Sequence, residues 1–328
     1  MRFTLNAAKD RCSKLGRNSF LLLVLLATIS GNSFGQTDCD CYDRLVNLSA
    51  YYEAKGKLGK ALKALESGMS HKKKAKWTAY ECSQLGKLAA LNGNSQQACQ
   101  YLEEALARGW DRQSLEGEEF AALRQSNHWK ALLERLDSLQ GEFQKNIHWT
   151  YRLALEDIRG SDQTIRRLIE VDPATFRQLD SINYTRLKAL MDQYGYPDME
   201  QHGFDGSQGA YLILLHASMY SEEMYADIQG ILTQAIKNFG YKKSNLAQFI
   251  DRREVWHHGR VQLYGTWNAY RAKEFKEFRN PSEIDKLRLP YNLLRIKEQA
   301  VMENRDLPAN YNPTPYPEGY FCGHDFRE

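Results

Sequence analysis

Hydrophobic residues recur at helical spacing along most of the chain. Between Pro173 and Pro197, for example, apolar residues return every turn of a helix against a mostly polar background. This spacing places the apolar side chains on one helix face, and a Pro in the first turn with a Gly after the last is typical of helix ends. The pattern predicts an all-α fold.

The second half of the chain continues in this way without repeating itself. Residues 209–219 are almost wholly apolar, which predicts a buried central helix, and amphipathic helices follow it. The last helix is predicted from Pro290 to about Glu303. We therefore assign residues 141–304 to a helical domain and residues 305–328, which are rich in Pro and Tyr, to an extended tail.

Residues 36–140 contain an internal repeat. Small and large packing positions recur 37 residues apart: Ser49, Tyr52, Gly56, Ala61, Leu65 and Gly68 pair with Gly86, Ala89, Gly93, Ala98, Leu102 and Ala105. These positions resemble those of the tetratricopeptide repeat, a helix pair of about 34 residues. The resemblance implies a short helical solenoid that a further helix pair caps and that packs against the rest of the chain.

Residues 1–35 have the pattern of a secretory signal peptide. Basic residues precede an uninterrupted apolar run at 20–29, and small or polar residues lead up to Gly35. The run is too short to cross a bilayer, which takes about 20 residues. We expect cleavage near Gly35, export to the periplasm or the exterior, and no transmembrane span in the mature chain.

Composition and charge exclude several classes of protein. With 42% apolar and 12% aromatic residues and only 8 Pro, the chain is globular, which excludes disordered, collagen-like and multi-span membrane proteins. The leader carries five Lys or Arg and one Asp, so of 44 basic and 41 acidic residues, 39 and 40 remain after cleavage. This near neutrality gives no support for nucleic-acid binding.

Five cysteines remain after cleavage: Cys39, Cys41, Cys82, Cys99 and Cys322. The odd number leaves at least one thiol without a partner in the chain, although an exported protein can form disulfides. Cys41 and Cys82 fall near equivalent ends of neighbouring repeat helices, so a disulfide between them is the hypothesis. The spacing matches no zinc or redox motif.

Three polar features in the second half are candidates for chemistry. His216 stands alone on an apolar helix, where a hydrogen-bonded core residue is the commoner interpretation and a functional role the minority one. Asp251 and Arg252 place a carboxylate beside a cation. Glu254 and His258 could hold one edge of a metal site, but a surface ion pair is the favoured interpretation, and no metal site is predicted.

A third feature is the short polar stretch at 262–266. Gln262, Tyr264 and Thr266 present hydrogen-bonding side chains around a glycine. The simplest interpretation is a turn that ties helices together, and the alternative is a substrate-positioning role. Because no phosphate-binding loop, nucleophile elbow or catalytic-cysteine motif accompanies them, no cofactor is predicted.

An ordered series of motifs spans residues 151–300. It consists of Asn183, Gly195-Tyr196-Pro197, Gly203, the apolar helix ending in His216, Leu246 to Asp251-Arg252, Gln262 to Thr266, Asp285 and Arg288. In this combination the stretch resembles the bacterial family catalogued as domain of unknown function 6624. The resemblance implies a helical domain whose polar motifs cluster, and it implies no known reaction.

These observations lead to two hypotheses about function. The favoured one is a secreted or periplasmic interaction module whose repeat helices bind a protein or peptide. The alternative is a hydrolase or transferase acting on an envelope component. In that enzyme Asp251 or His216 would be the general base and Arg252 would stabilise an anion, while Gln262, Tyr264 and Thr266 would position the substrate.

Overall fold

A computed structural model describes residues 37–167, 172–197, 199–268, 272–324 and 326, with the backbone alone over 199–205. Within these residues the all-α prediction is confirmed: thirteen α-helices are present and there is no strand. The predicted leader, residues 1–35, lies outside the described part of the chain. None of the described helices is long and apolar enough to span a membrane.

The first four helices form two hairpins in the region of the predicted repeat. Helices α1 (Asp38–Ala54) and α2 (Leu58–Ser70) make one hairpin, and α3 (Ala79–Leu91) and α4 (Ser95–Ala107) make the other. The turn of the second hairpin contains Gly93, whose φ of 78° favours glycine. The small residues predicted at the helix contacts are mostly buried there, which lets the paired helices approach closely.

Nine further helices complete the fold. They are α5 (Asn127–Glu134), α6 (Leu136–Asn146), α7 (Trp149–Arg166), α8 (Pro173–Tyr194), α9 (Met199–Ala217), α10 (Glu222–Lys237), α11 (Lys243–Trp256), α12 (Ile284–Arg288) and α13 (Ile296–Glu303). The last of them begins later than predicted. Leu289–Tyr291 is a 3-10 turn, and Asn292 interrupts the backbone with a left-handed φ of 58° before α13 begins.

The core of the second half lies between α7, α8 and α9. Helix α9 supplies Ile213, Leu214 and Leu215, all buried, to a cluster that also contains Leu155 of α7 and Leu187 of α8. The apolar stretch at 209–219 is therefore a central helix, as its composition indicates. The same three helices carry His216, Asp162, Arg166 and Asp180, which form the charged network described below.

The C-terminal tail is irregular, as predicted, and is fixed along α1. The Tyr52 hydroxyl donates to the Phe326 carbonyl at 2.5 Å, and Arg44 Nη1 donates to the Tyr320 carbonyl at 3.1 Å. The Arg44 guanidinium also lies 4.3 Å from the centre of the Tyr320 ring. Phe326 itself is buried in the cluster that α1 and α2 form. The tail is thus part of the core around α1.

The disulfide predicted between Cys41 and Cys82 is wrong. Cys41 is bonded to Cys322 of the tail, with 5.7 Å between the Cα atoms, whereas Cys39, Cys82 and Cys99 are free thiols. Axes of neighbouring helices lie about 8–10 Å apart, and equivalent positions on them seldom reach the ~7 Å limit for a disulfide. Burial raises the pKa of Cys82 to about 12, so this thiol stays protonated.

Candidate functional site

The six predicted site residues fall into two groups. Asp251, Gln262, Tyr264 and Thr266 are joined in one turn that α11 supports. His216 and Arg252 belong instead to a group of charged residues on α7, α8, α9 and α11. The two groups differ in whether their polar atoms are already hydrogen-bonded within the protein.

Asp251 is fully buried and holds the turn together. Its Oδ1 accepts hydrogen bonds from the amides of Leu263 (2.6 Å) and Tyr264 (2.9 Å). Its Oδ2 accepts from the amide (2.9 Å) and the hydroxyl (2.7 Å) of Thr266. Burial raises the pKa of Asp251 even though these donors lower it. With both oxygens occupied and no access to solvent, Asp251 is not placed to act as a base.

Gln262 and Tyr264 are used in the same structural way. Gln262 Nε2 donates to the Lys276 carbonyl at 2.8 Å, and its Oε1 accepts from the Trp267 amide at 2.7 Å. The Tyr264 ring packs on Tyr291, with 4.6 Å between ring centres, and the two hydroxyls are hydrogen-bonded. Because the polar groups of both side chains are hydrogen-bonded within the protein, neither is available to position a substrate.

His216 forms a dyad with a carboxylate that the sequence analysis did not identify. Its Nδ1 lies 2.9 Å from Oδ1 of Asp162 and 3.0 Å from Nε of Arg166. One neutral tautomer donates from Nδ1 to Asp162, and the other accepts at Nδ1 from Arg166, so both tautomers have a partner. The Nε2 of His216 makes no hydrogen bond to any described residue, and 12% of the side chain is exposed.

Arg166 joins the dyad to a second buried carboxylate. Its Nη2 donates to Asp162 Oδ1 at 3.0 Å and also to Asp180, whose other oxygen accepts from the Tyr220 hydroxyl at 2.5 Å. Burial raises the pKa of Asp162, but hydrogen bonds from His216 and Arg166 outweigh it and hold the pKa below its usual value. Asp162 therefore stays ionised and keeps His216 oriented.

Arg252 lies near this network and has a different environment. Its guanidinium carbon is 5.6 Å from the ring centre of Trp256 and 5.1 Å from that of Trp267. Its Nε is buried and has no hydrogen-bond partner among the described residues. Burial lowers the pKa of Arg252, and the nearby charges of Asp162 and Asp180 raise it. A half-buried guanidinium that pairs with no described carboxylate is suited to an anionic ligand.

Asp162, Asp180 and His216 also meet the distance requirement for a metal centre, since one ligand atom from each lies within 4.8 Å of the others. Their electron pairs are nevertheless in use: Arg166 bridges the two carboxylates, Tyr220 occupies Asp180, and the dyad contact occupies Asp162. The positive charge of Arg166 stands where a cation would have to bind. The geometry fits an ion network better than a metal centre.

A cleft of about 450 Å³ lies between the two N-terminal hairpins and the second half of the chain. Tyr42 and Glu81 line it on the repeat side, and Tyr211, Tyr241 and Gln248 line it on the other. The Tyr241 hydroxyl is buried, and no residue in the described part of the chain hydrogen-bonds to it. Gln248 lies one helical turn before Arg252 on α11, so the cleft extends towards Arg252.

The network residues that were missed do carry a signal in the sequence. On α7 the buried positions are Tyr151, Leu155, Ile158 and Asp162, which follow one another at intervals of three or four residues. Asp162 thus stands on the apolar stripe of its helix. On α8, Asp180 and Asn183 occupy the stripe in the same way. A polar residue at a core position of an amphipathic helix would have indicated both carboxylates.

Comparison with known proteins adds nothing to this geometry. No family model, no curated protein and no solved structure matches the chain. The resemblances to domain of unknown function 6624 and to the tetratricopeptide repeat stay predictions, and function has to be argued from the site.

Proposed function

We propose that the second half of the chain is a hydrolase or transferase that acts on a substrate with an anionic group. His216 transfers the proton, Arg252 binds the anionic group, and Asp162 orients the imidazole. The observation that carries the proposal is the Asp162–His216 dyad, whose outer nitrogen bonds no described residue, near an arginine that pairs with no described carboxylate.

The dyad supplies what general acid–base catalysis needs. A carboxylate on Nδ1 fixes the imidazole and stabilises its protonated form, which leaves Nε2 as the atom that exchanges a proton with substrate. Asp162 is completely buried and is held on its helix by Arg166. His216 can therefore gain and lose a proton without losing its orientation.

Arg252 supplies the binding interaction. The two indole rings hold its guanidinium in place, so little side-chain entropy remains to be lost when an anion binds. Arg166 forms direct ion pairs with the nearby carboxylates of Asp162 and Asp180. Arg252 is paired with no described carboxylate, so its guanidinium is the group that would bind a carboxylate or phosphate on the substrate. Export, if residues 1–35 are a leader, makes an envelope component the substrate class to examine.

The proposal can be tested with chromogenic esters. We expect hydrolysis of p-nitrophenyl phosphate or mono-p-nitrophenyl succinate, which are anionic, in preference to neutral p-nitrophenyl acetate. His216→Ala should lower kcat by about 10²–10⁴-fold, and Arg252→Gln should raise KM for the anionic esters alone. His128→Ala, at an exposed histidine on α5, is the matched control. Equal rates for wild type and His216→Ala would refute the catalytic role.

A second candidate is the interaction module favoured by the sequence, and the cleft between the two halves of the chain supports it. Its volume and its tyrosine and amide lining are suited to a short extended peptide. Selection from a displayed peptide library should yield a consensus that Tyr80→Ala, at the cleft, weakens. Trp149→Ala, at an exposed aromatic residue outside the cleft, should leave binding unchanged. A library that yields no consensus would argue against the module.

A further inference from the structure

A second group of ionisable side chains lies at the C-terminal end of α11, apart from the dyad. The helix ends at Trp256, and the next two residues, His257 and His258, both donate their amides to the carbonyl of Arg253. Their rings lie 4.7 Å apart at 76°. This turn brings both imidazoles towards the first turn of α10, where Glu222 is located.

One ligand atom from each of Glu222, His257 and His258 lies within 4.8 Å of the other two. His257 Nε2 is 3.8 Å and His258 Nε2 is 3.9 Å from the same Oε1 of Glu222. His258 Nε2 is also 3.8 Å from Oε1 of Glu254. These separations exceed the ~3.2 Å of a hydrogen bond, so the imidazoles do not bond the carboxylates directly.

The same separations are close to those of metal ligands. In a tetrahedral zinc site, bonds of about 2.0–2.1 Å place neighbouring ligand atoms roughly 3.4 Å apart. The two distances between the imidazoles and Glu222 would have to contract by only about 0.5 Å, and the exposed Glu222 side chain can move by that amount. We infer that Glu222, His257 and His258 form a binding site for Zn²⁺ or a similar divalent transition metal, with Glu254 beside it.

The charges around the group determine how tightly it binds a metal ion, and its ligand atoms determine which ion it prefers. Arg253 Nη2 donates to Glu222 Oε1 at 2.7 Å, and Arg260 Nη1 lies 3.6 Å from Glu254. These cations neutralise the two carboxylates, so the site binds more weakly than a structural zinc site. Two imidazoles favour Zn²⁺, Ni²⁺ or Cu²⁺ over Mg²⁺ and Ca²⁺.

The experiment is a calorimetric titration of the metal-free full-length chain with ZnCl₂. We expect one ion to bind with a micromolar Kd and no heat from MgCl₂ under the same conditions. His257→Ala/His258→Ala should weaken binding by at least about tenfold, and Glu222→Gln should weaken it less. The matched control is His128→Ala, which removes an exposed histidine elsewhere and should bind as the wild type does.

Two results would overturn the inference. The first is a double histidine variant that binds Zn²⁺ as tightly as the wild type while its far-UV circular dichroism is unchanged. The second is a wild-type chain that gives no heat at millimolar Zn²⁺. If the double variant proves unstable, the spectrum of bound Co²⁺ in Glu222→Gln tests the site instead, because loss of a carboxylate ligand shifts the d–d bands.

Discussion

The sharpest test of the structural group is the removal of the Asp251 carboxylate. Asp251→Ala removes the acceptor of three backbone amides, that of the buried Tyr264 and those of the half-buried Leu263 and Thr266. Each unsatisfied amide costs about 1–3 kcal/mol. Part of the loss is offset because a buried charge disappears, so we expect the free energy of unfolding to fall by about 3–6 kcal/mol.

Asp251→Asn is the graded variant. The amide oxygen can still accept from Leu263 and Tyr264, whereas its NH₂ group faces the amide and hydroxyl of Thr266 and cannot accept from them. We expect a loss of about 2–3 kcal/mol. Total stability is typically about 5–15 kcal/mol, so both variants should be measurable by guanidinium unfolding followed by circular dichroism.

The control for these variants is Asp192→Ala, at an exposed carboxylate on α8, which should change stability by less than about 0.5 kcal/mol. If Asp251→Ala costs less than about 1 kcal/mol, the assignment of Asp251 as a structural residue is wrong. In that case its four hydrogen bonds would have to be dispensable, and the general-base hypothesis would return.

Three further predictions concern pH, the disulfide and one glycine. Because the folded pKa of Asp162 is depressed, its contribution to stability is complete above about pH 4 and is lost as the pH falls further. Acid unfolding monitored by fluorescence should show this loss in the wild type but not in Asp162→Asn. Non-reducing peptide mapping should recover Cys41 joined to Cys322, and Cys322→Ser should lower stability by up to about 5 kcal/mol because the bond closes a loop of 281 residues. Gly265→Ala should cost about 1–3 kcal/mol in thermal unfolding, since φ is 66° and the added Cβ would lie 3.1 Å from a core methyl group. Gly230→Ala on α10, where nothing lies within 4 Å, should instead be neutral or stabilising by about 0.5–1 kcal/mol.

Local pattern was sufficient to predict the helices, because helix formation depends on spacing and on end signals that lie close together in the sequence. Asp172 caps α8 through the amides of Ala174 and Thr175, next to the proline that opens the helix. The prediction was wrong for the start of the last helix, where Asn292 donates to Asp40 and accepts from Arg44, both on α1. A long-range tertiary contact determines the backbone there, and spacing carries no information about it.

Prediction of the site was limited for the same reason. His216 was identified because it interrupts an apolar run, and Arg252 because it stands beside Asp251. The partners of His216, Asp162 and Arg166, both lie on α7, and Asp180 of α8 joins them through Arg166, so no spacing along the chain links these residues to His216. The disulfide illustrates the limit further, since its two cysteines lie at opposite ends of the described chain.

What separates the two polar groups is the use of their hydrogen-bonding capacity. A buried carboxylate is stable only when its oxygens are satisfied, and Asp251 meets that condition entirely through the turn it holds. Asp162 is satisfied too, but one of its partners is a histidine whose second nitrogen is unused. The Arg252 Nε is buried and has no hydrogen-bond partner among the described residues, which costs stability unless a ligand binds. Because an unsatisfied cation beside an oriented imidazole is destabilising until a ligand binds, the dyad and Arg252 are the place to look for chemistry, and the turn at Asp251 is the scaffold that keeps α11 in position.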